Sequence, residues 1–205
     1  MGTIKSSTLL NKAQTILQDA TETRWPITEL LGWLNDGQRE IVLLKPDANT
    51  SSGPRTLVAS TKQTLPTGGI LFIDILSNTT GQVVKQIARE HLDAQLPNWR
   101  NAPASATIKY FMFDPRNPKE FHVYPKATTD ASVELVYAVT PTDMVGISNT
   151  IALDDIYANV LVDYVLYRAF SKDADFAGNG QRAMAAYGTF AQALGLKGSA
   201  AVAAA

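Results

Sequence analysis

The sequence predicts an α+β protein in which N- and C-terminal helical hairpins close into a four-helix bundle carrying an inserted antiparallel β domain. Three observations carry that expectation. Apolar residues recur at helical spacing near both ends of the chain, and the period switches to two between about 56 and 140, where turn residues multiply. The stretch Leu153–Phe170 is apolar most of the way round. Leu153, Ile156, Tyr157, Val160, Leu161, Tyr164 and Tyr167 form one stripe; Ala158, Val162, Val165, Leu166 and Ala169 fill a second face. Only Asp155, Asn159 and Asp163 remain as a polar ridge, so this helix must be surrounded by others. Asp154 and Asp155 in its first turn and Arg168 and Lys172 in its last suit the helix dipole.

The boundaries expected are 1–46 for the first hairpin, 47–152 for the β domain, 153–194 for the second hairpin and 195–205 for a tail. In the first hairpin, Thr8–Asp19 places Leu9, Ala13, Ile16 and Leu17 on one face, with Ser6, Ser7 or Thr8 available as a cap. Thr21–Pro26 interrupts it. Thr28–Leu44 follows, with Leu30, Leu31, Leu34, Ile41 and Leu44 facing inward and Pro26 and Pro46 as start and stop. Gly32 and Gly37 each weaken that helix by ~1 kcal/mol relative to alanine.

Asp47–Arg55 reads as a loop of small polar residues. Strands are expected at Thr56–Ser60, Gln63–Leu65, Ile70–Leu76, Val83–Ile87, Thr107–Asp114, Glu120–Tyr124 and Ser132–Thr140, and a short helix at Ala88–Leu96. The last helix is expected over Asp175–Leu194, with Phe176, Ala183, Tyr187, Phe190, Ala191 and Leu194 as its stripe.

Opposite charges nearly cancel, 18 Lys plus Arg against 19 Asp plus Glu, and no segment forms the basic patch that phosphate neutralisation requires. The chain has no cysteine, so disulfides, thiol catalysis and Cys-ligated zinc are excluded. The N-terminus is polar with no signal-peptide pattern, and no apolar run approaches the ~20 residues of a membrane span, so a soluble protein made in the cytoplasm is expected. Asn49-Thr50-Ser51 and Asn78-Thr79-Thr80 match the glycosylation acceptor pattern by chance on this reading.

No catalytic, cofactor-binding or metal-ligating set is expected. His91 and His122 are far apart and lack ligand spacing to other residues. No Gly-x-Ser-x-Gly elbow and no Walker A loop are present. Asp154, Asp155 and Asp163 are concentrated on one element and open an acid–base reading with His91, but first-turn charges and a polar contact explain them more simply. Trp25, Trp33 and Trp99, two of them beside Arg24 and Arg100, raise base stacking, yet each sits in a different element.

Thr23-Arg24-Trp25-Pro26 followed by Glu29–Ile41 resembles the first hairpin of the head-to-tail adaptor (connector) proteins of tailed bacteriophages. Asp154–Tyr157 through Tyr167–Asp175 is similar to their central helix, and Gly178–Ala183 through Tyr187–Phe190 to their last helix. The resemblance implies a structural virion protein in the neck. It implies a ring, commonly of about twelve copies, that joins the portal to the tail or nozzle protein and lets DNA pass. It implies no enzyme, cofactor or membrane contact. Near-neutral charge suits a lumen through which DNA slides. Another head-completion or tail-terminator role, a small hydrolase and a nucleic-acid-binding regulator are the alternatives.

For such a ring, Asn159 and Asp163 are the expected subunit contacts, together with small residues of the last helix, among them Ala183 and Gly188, that let a neighbour approach. The tail offers too little apolar surface to order alone. It is expected to dock on the portal through Leu196, Val202 and Ala205, with Lys197 as its one charge.

Overall fold

A computed structural model describes residues 2–176 and 178–195. The helices are α1 (Ser6–Leu17), α2 (Ile27–Leu44), α3 (Arg89–Gln95), α4 (Ala158–Lys172) and α5 (Asn179–Ala193). The strands are β1 (Thr50–Thr56), β2 (Lys62–Thr64), β3 (Gly69–Asn78), β4 (Lys85–Gln86), β5 (Tyr110–Phe113), β6 (Glu120–Tyr124) and β7 (Ser132–Val139). The chain divides into two compact units, one drawn from Met1–Asn49 and Pro141–Ala205, the other Thr50–Thr140.

In the first unit α4 is the hub. Its apolar circumference buries Leu161, Tyr164, Val165, Leu166 and Ala169, and α1, α2 and α5 all pack on it. Thr3 and Ile4 reach Asp155 at one end of α4, while Leu17 shares a cleft with Phe170 at the other, so α1 runs in the same sense as α4. The Glu29–Lys172 ion pair and the approach of Gly37 to Tyr164 make α2 antiparallel to it. Ring contacts of Tyr164 with Phe190 and of Tyr167 with Tyr187 do the same for α5.

The expected four-helix bundle with an inserted antiparallel β domain is not what these residues form. The protein is α+β, but with five helices and two sheets among the described residues. The physical reason in the helical unit lies in α5. Of its residues only Asn179, Ala183 and Phe190 are buried, while Met184 and Tyr187 are exposed. A helix with so few inward side chains lies against one flank of α4 and does not complete a ring of four equal partners.

Two further expectations fail at helix starts. Asp154 accepts a hydrogen bond from Ile156 N (3.0 Å), and Asp155–Tyr157 winds as a 3-10 turn, so α4 begins at Ala158 and not at Leu153. The tighter turn takes Ile156 off the stripe and leaves it 76% exposed. α5 likewise begins at Asn179, after Gly178 at φ +81°, and Phe176 precedes the helix instead of joining its stripe.

Asp155 spends its own carboxylate elsewhere. It accepts from Thr3 Oγ1 (2.6 Å), Thr3 N (2.7 Å) and Ile4 N (3.1 Å), which pins the N-terminal segment to the start of α4. These bonds, the Thr3 hydroxyl first, hold its pKa below the ordinary carboxylate value.

The second unit contains a three-stranded sheet, β1-β7-β3, and a four-stranded sheet, β2-β6-β5-β4, in place of a single antiparallel sheet. β4 runs parallel to β5, and the remaining pairs are antiparallel. Both sheets face one core. Phe72 of β3 meets the rings of Phe111, Phe113 and Phe121 at 5.4, 4.9 and 4.7 Å, and Val123, Val133 and Leu135 close around them.

β1 occupies most of the stretch expected as a loop. Its residues are Thr, Ser, Gly, Pro and Arg, none of them buried, so no alternation marks it. The ladder to β7 alone makes it a strand, and Pro54 is tolerated because β1 lies at the sheet edge. Asn78 is buried. Its amide donates to Gln82 O and Ile108 O and accepts from Ile108 N, so this acceptor-type sequence holds a structural side chain.

Gly32 and Gly37, equivalent in sequence, are not equivalent in place. A Cβ at Gly32 meets nothing within 4 Å, whereas one at Gly37 falls 2.9 Å from Tyr164 Cδ1. Tyr164 is buried and braced by Tyr167 and Phe190, so its ring has little room to yield. Gly32→Ala should raise stability by ~1 kcal/mol through helix propensity. Gly37→Ala should lower it, because overpacking costs ~1–3 kcal/mol against the same gain. Urea melts of the two variants check the opposite signs.

A depressed pKa makes the Asp155 bonds contribute stability above about pH 4, lost as pH falls through the lowered folded value. Thermal melts should therefore show Asp155→Asn less stable than the parent at pH 7 and the gap narrowing by pH 3.

Candidate functional site

The turn between α1 and α2 builds the most developed surface feature of the helical unit. The Asp19 carboxylate accepts from the backbone amides of Thr23 (3.0 Å), Arg24 (2.9 Å) and Trp25 (2.8 Å), gathering the turn around one side chain. These bonds, that from Trp25 foremost, hold the Asp19 pKa below its usual value. Trp25 is thereby buried, and its indole donates to Ala169 O (3.2 Å) near the end of α4. Arg24 lies between the Trp25 ring (5.3 Å) and the Phe176 ring (4.7 Å) and pairs with Asp173. The buried Asn179 amide donates to Asp173 Oδ2 (3.0 Å), and Arg182 sits over the Phe170 ring at 5.8 Å.

These groups line an open cleft of about 620 Å³. Its floor is aromatic and its rim cationic. Asp19 is taken up by three amides and Asp173 by Arg24 and Asn179, which leaves Arg182 without a carboxylate partner among the described residues. An aromatic floor beside a guanidinium suits holding an acidic, partly apolar segment.

A shallower groove of about 420 Å³ runs between α1 and α4, lined by Lys12, Thr15, Ile16, Asn159, Val162 and Asp163. It brings together two of the expected subunit-contact residues. Asn159 is exposed; Asp163 is half-buried, and burial raises its carboxyl pKa. Of the other two, Ala183 is buried in its own unit, while Gly188 is exposed with open space around it. Leu196, Lys197, Val202 and Ala205 lie outside the described residues.

In the β unit, Asp93 of α3 accepts from the Trp99 indole (2.7 Å) and faces Arg89 (3.6 Å) and Arg100 (3.8 Å). His122 stands edge-on to Trp99 at 6.2 Å, its pKa lowered by burial first and by Arg100 and Lys62 next. His91 is exposed on α3. Among the described residues no group of three or more His, Asp or Glu is placed to hold a metal ion. Asp154 and Asp155 are engaged at the start of α4 as described, in capping and in fastening the N-terminus.

Local sequence does not mark the Arg24–Arg182 cleft, since Thr21–Pro26 reads as an interruption between helices and Phe176 as part of a core-facing stripe. The adjacency of Arg24 and Trp25 is its one visible trace; the approach of Phe176 and Arg182 depends on how α5 docks.

No helix among the described residues is long and apolar enough to cross a membrane. No curated protein matches the chain. The sequence profile of a family described as SU10 adaptor protein matches residues 5–205. That span includes all three stretches that carried the head-to-tail adaptor resemblance, together with the β unit between them. The chain belongs to the SU10 adaptor protein family.

Proposed function

We propose that this protein is a structural component of the phage neck, a ring of about twelve copies that joins the portal to the tail or nozzle protein and lets DNA pass. The observation that carries the reading is the family match over residues 5–205. Three features support it. The α4 hub, buried on most sides, holds the other helices of the unit around one element. The Asn159–Asp163 groove and the Arg24–Arg182 cleft are concave surfaces with room for a partner's side chains. Charge balance of 18 against 19 favours a lumen that does not grip DNA. Asn159, Asp163 and Gly188 are the proposed contacts between subunits, and residues 196–205 the proposed docking segment on the portal, with Leu196 and Val202 as its apolar contacts.

Native mass spectrometry of the protein mixed with the portal of the same phage tests the reading. A ring-sized complex on the portal is expected, and a chain that neither associates with itself nor binds portal overturns it. Deleting residues 196–205 should leave the melting temperature unchanged and weaken portal binding at least ~10-fold, roughly 1.4 kcal/mol.

A further inference from the structure

Ile16, Ile156 and Phe176 have the spacing of core-facing stripes, yet they are left in solvent, at 54%, 76% and 57% exposure. They are not scattered. Ile16 and Phe176 border the Arg24–Arg182 cleft at the C-terminal end of α4. Ile156 projects from the 3-10 turn at the opposite end, some 22 Å away for a helix of 15 residues.

The two ends also carry opposite unmatched charges. At the cleft, Arg182 has no carboxylate partner among the described residues. Beside Ile156, Asp154 is exposed, and its side chain bonds only the amide of Ile156, with no cationic partner among the described residues. One end therefore offers an aliphatic side chain next to a carboxylate. The other offers an aromatic-floored cleft next to a guanidinium.

Building on the ring reading, we propose that the Asp154–Ile156 knob of one copy seats in the Arg24–Arg182 cleft of the next, Ile156 packing on Ile16 and Phe176 while Asp154 pairs with Arg182. The knob and the cleft are different patches of the same unit, so the contact is head-to-tail. Such a contact leaves a free knob and a free cleft after each addition and ends only when the ring closes. A two-fold pair would match one patch against itself, and like charges would then face each other. The same contact explains why the chain keeps isoleucine at 156 and phenylalanine at 176 where its own core does not use them.

Two exposed substitutions separate knob from cleft: Ile156→Lys, which sets a cation against Arg24 and Arg182, and Arg182→Glu, which sets a carboxylate against Asp154. Thermal melts confirm folding, and Ile156→Ser and Arg182→Gln serve as milder versions. Native mass spectrometry at millimolar protein should show each variant alone as monomer where the parent associates. An equimolar mixture should give heterodimers and nothing larger, because one variant keeps its cleft and the other its knob. The milder pair should weaken association at least ~10-fold.

Full association of both single variants, or a mixture without heterodimers, overturns the contact. Portal binding by the parent separates the two readings. A parent that binds portal yet does not self-associate overturns this contact and leaves the adaptor role standing. A parent that associates head-to-tail yet ignores portal does the reverse.

Discussion

Burial of α4 on nearly every side is the constraint on which the helical unit depends. A helix with nine buried positions in fifteen cannot rest on a surface, and each neighbour covers a separate part of its circumference. α2 approaches closely at Gly37, where the absence of a side chain makes room for Tyr164. α1 supplies Leu9, Leu10, Ala13 and Leu17, and α5 contributes Ala183 and Phe190, with Leu194 just beyond its end. This cover is lopsided. It leaves a groove along α1 and α4 and a cleft where α5 departs from α4.

Two carboxylates hold the ends of that arrangement in place. Asp19 collects three successive amides of the α1–α2 turn, and Asp155 collects the amides and hydroxyl of Thr3 and Ile4. In both cases one short acceptor replaces hydrogen bonds that the chain forgoes outside regular structure. Both also set surface chemistry. Asp19 orients Arg24 and Trp25 at the cleft, and the fastening by Asp155 accompanies the 3-10 turn that presents Ile156. The turns that fasten the helical unit are thus also the ones that shape its surface.

In the β unit the ordering force is aromatic. Phe72 joins the two sheets by touching Phe111, Phe113 and Phe121, and the satellite cluster of Leu92, Trp99 and Met112 seats α3. The ion pairs around Asp93 are largely exposed and contribute little to stability. Their role is to orient Trp99 and to surround His122 with positive charge.

What the sequence by itself determined was the identity and period of the elements. The α+β class, α1, α2, α3, β6 and β7 were legible because their apolar residues follow period 3.6 or 2 and their flanks carry Pro, Gly or capping residues. The adaptor family was legible from Thr23–Pro26 and the α4 and α5 stretches. Periodicity had nothing to report for β1, whose polar residues become a strand only through the ladder to β7. It also misplaced Ile156 and Phe176, since a stripe continues on paper through a 3-10 turn or a glycine that in space changes its direction. The two-sheet arrangement, the one-sided seat of α5 and the pairing of Arg24 with Phe176 were decided only by the tertiary structure. Each depends on contacts between residues distant in the chain, and such contacts leave no local pattern to read.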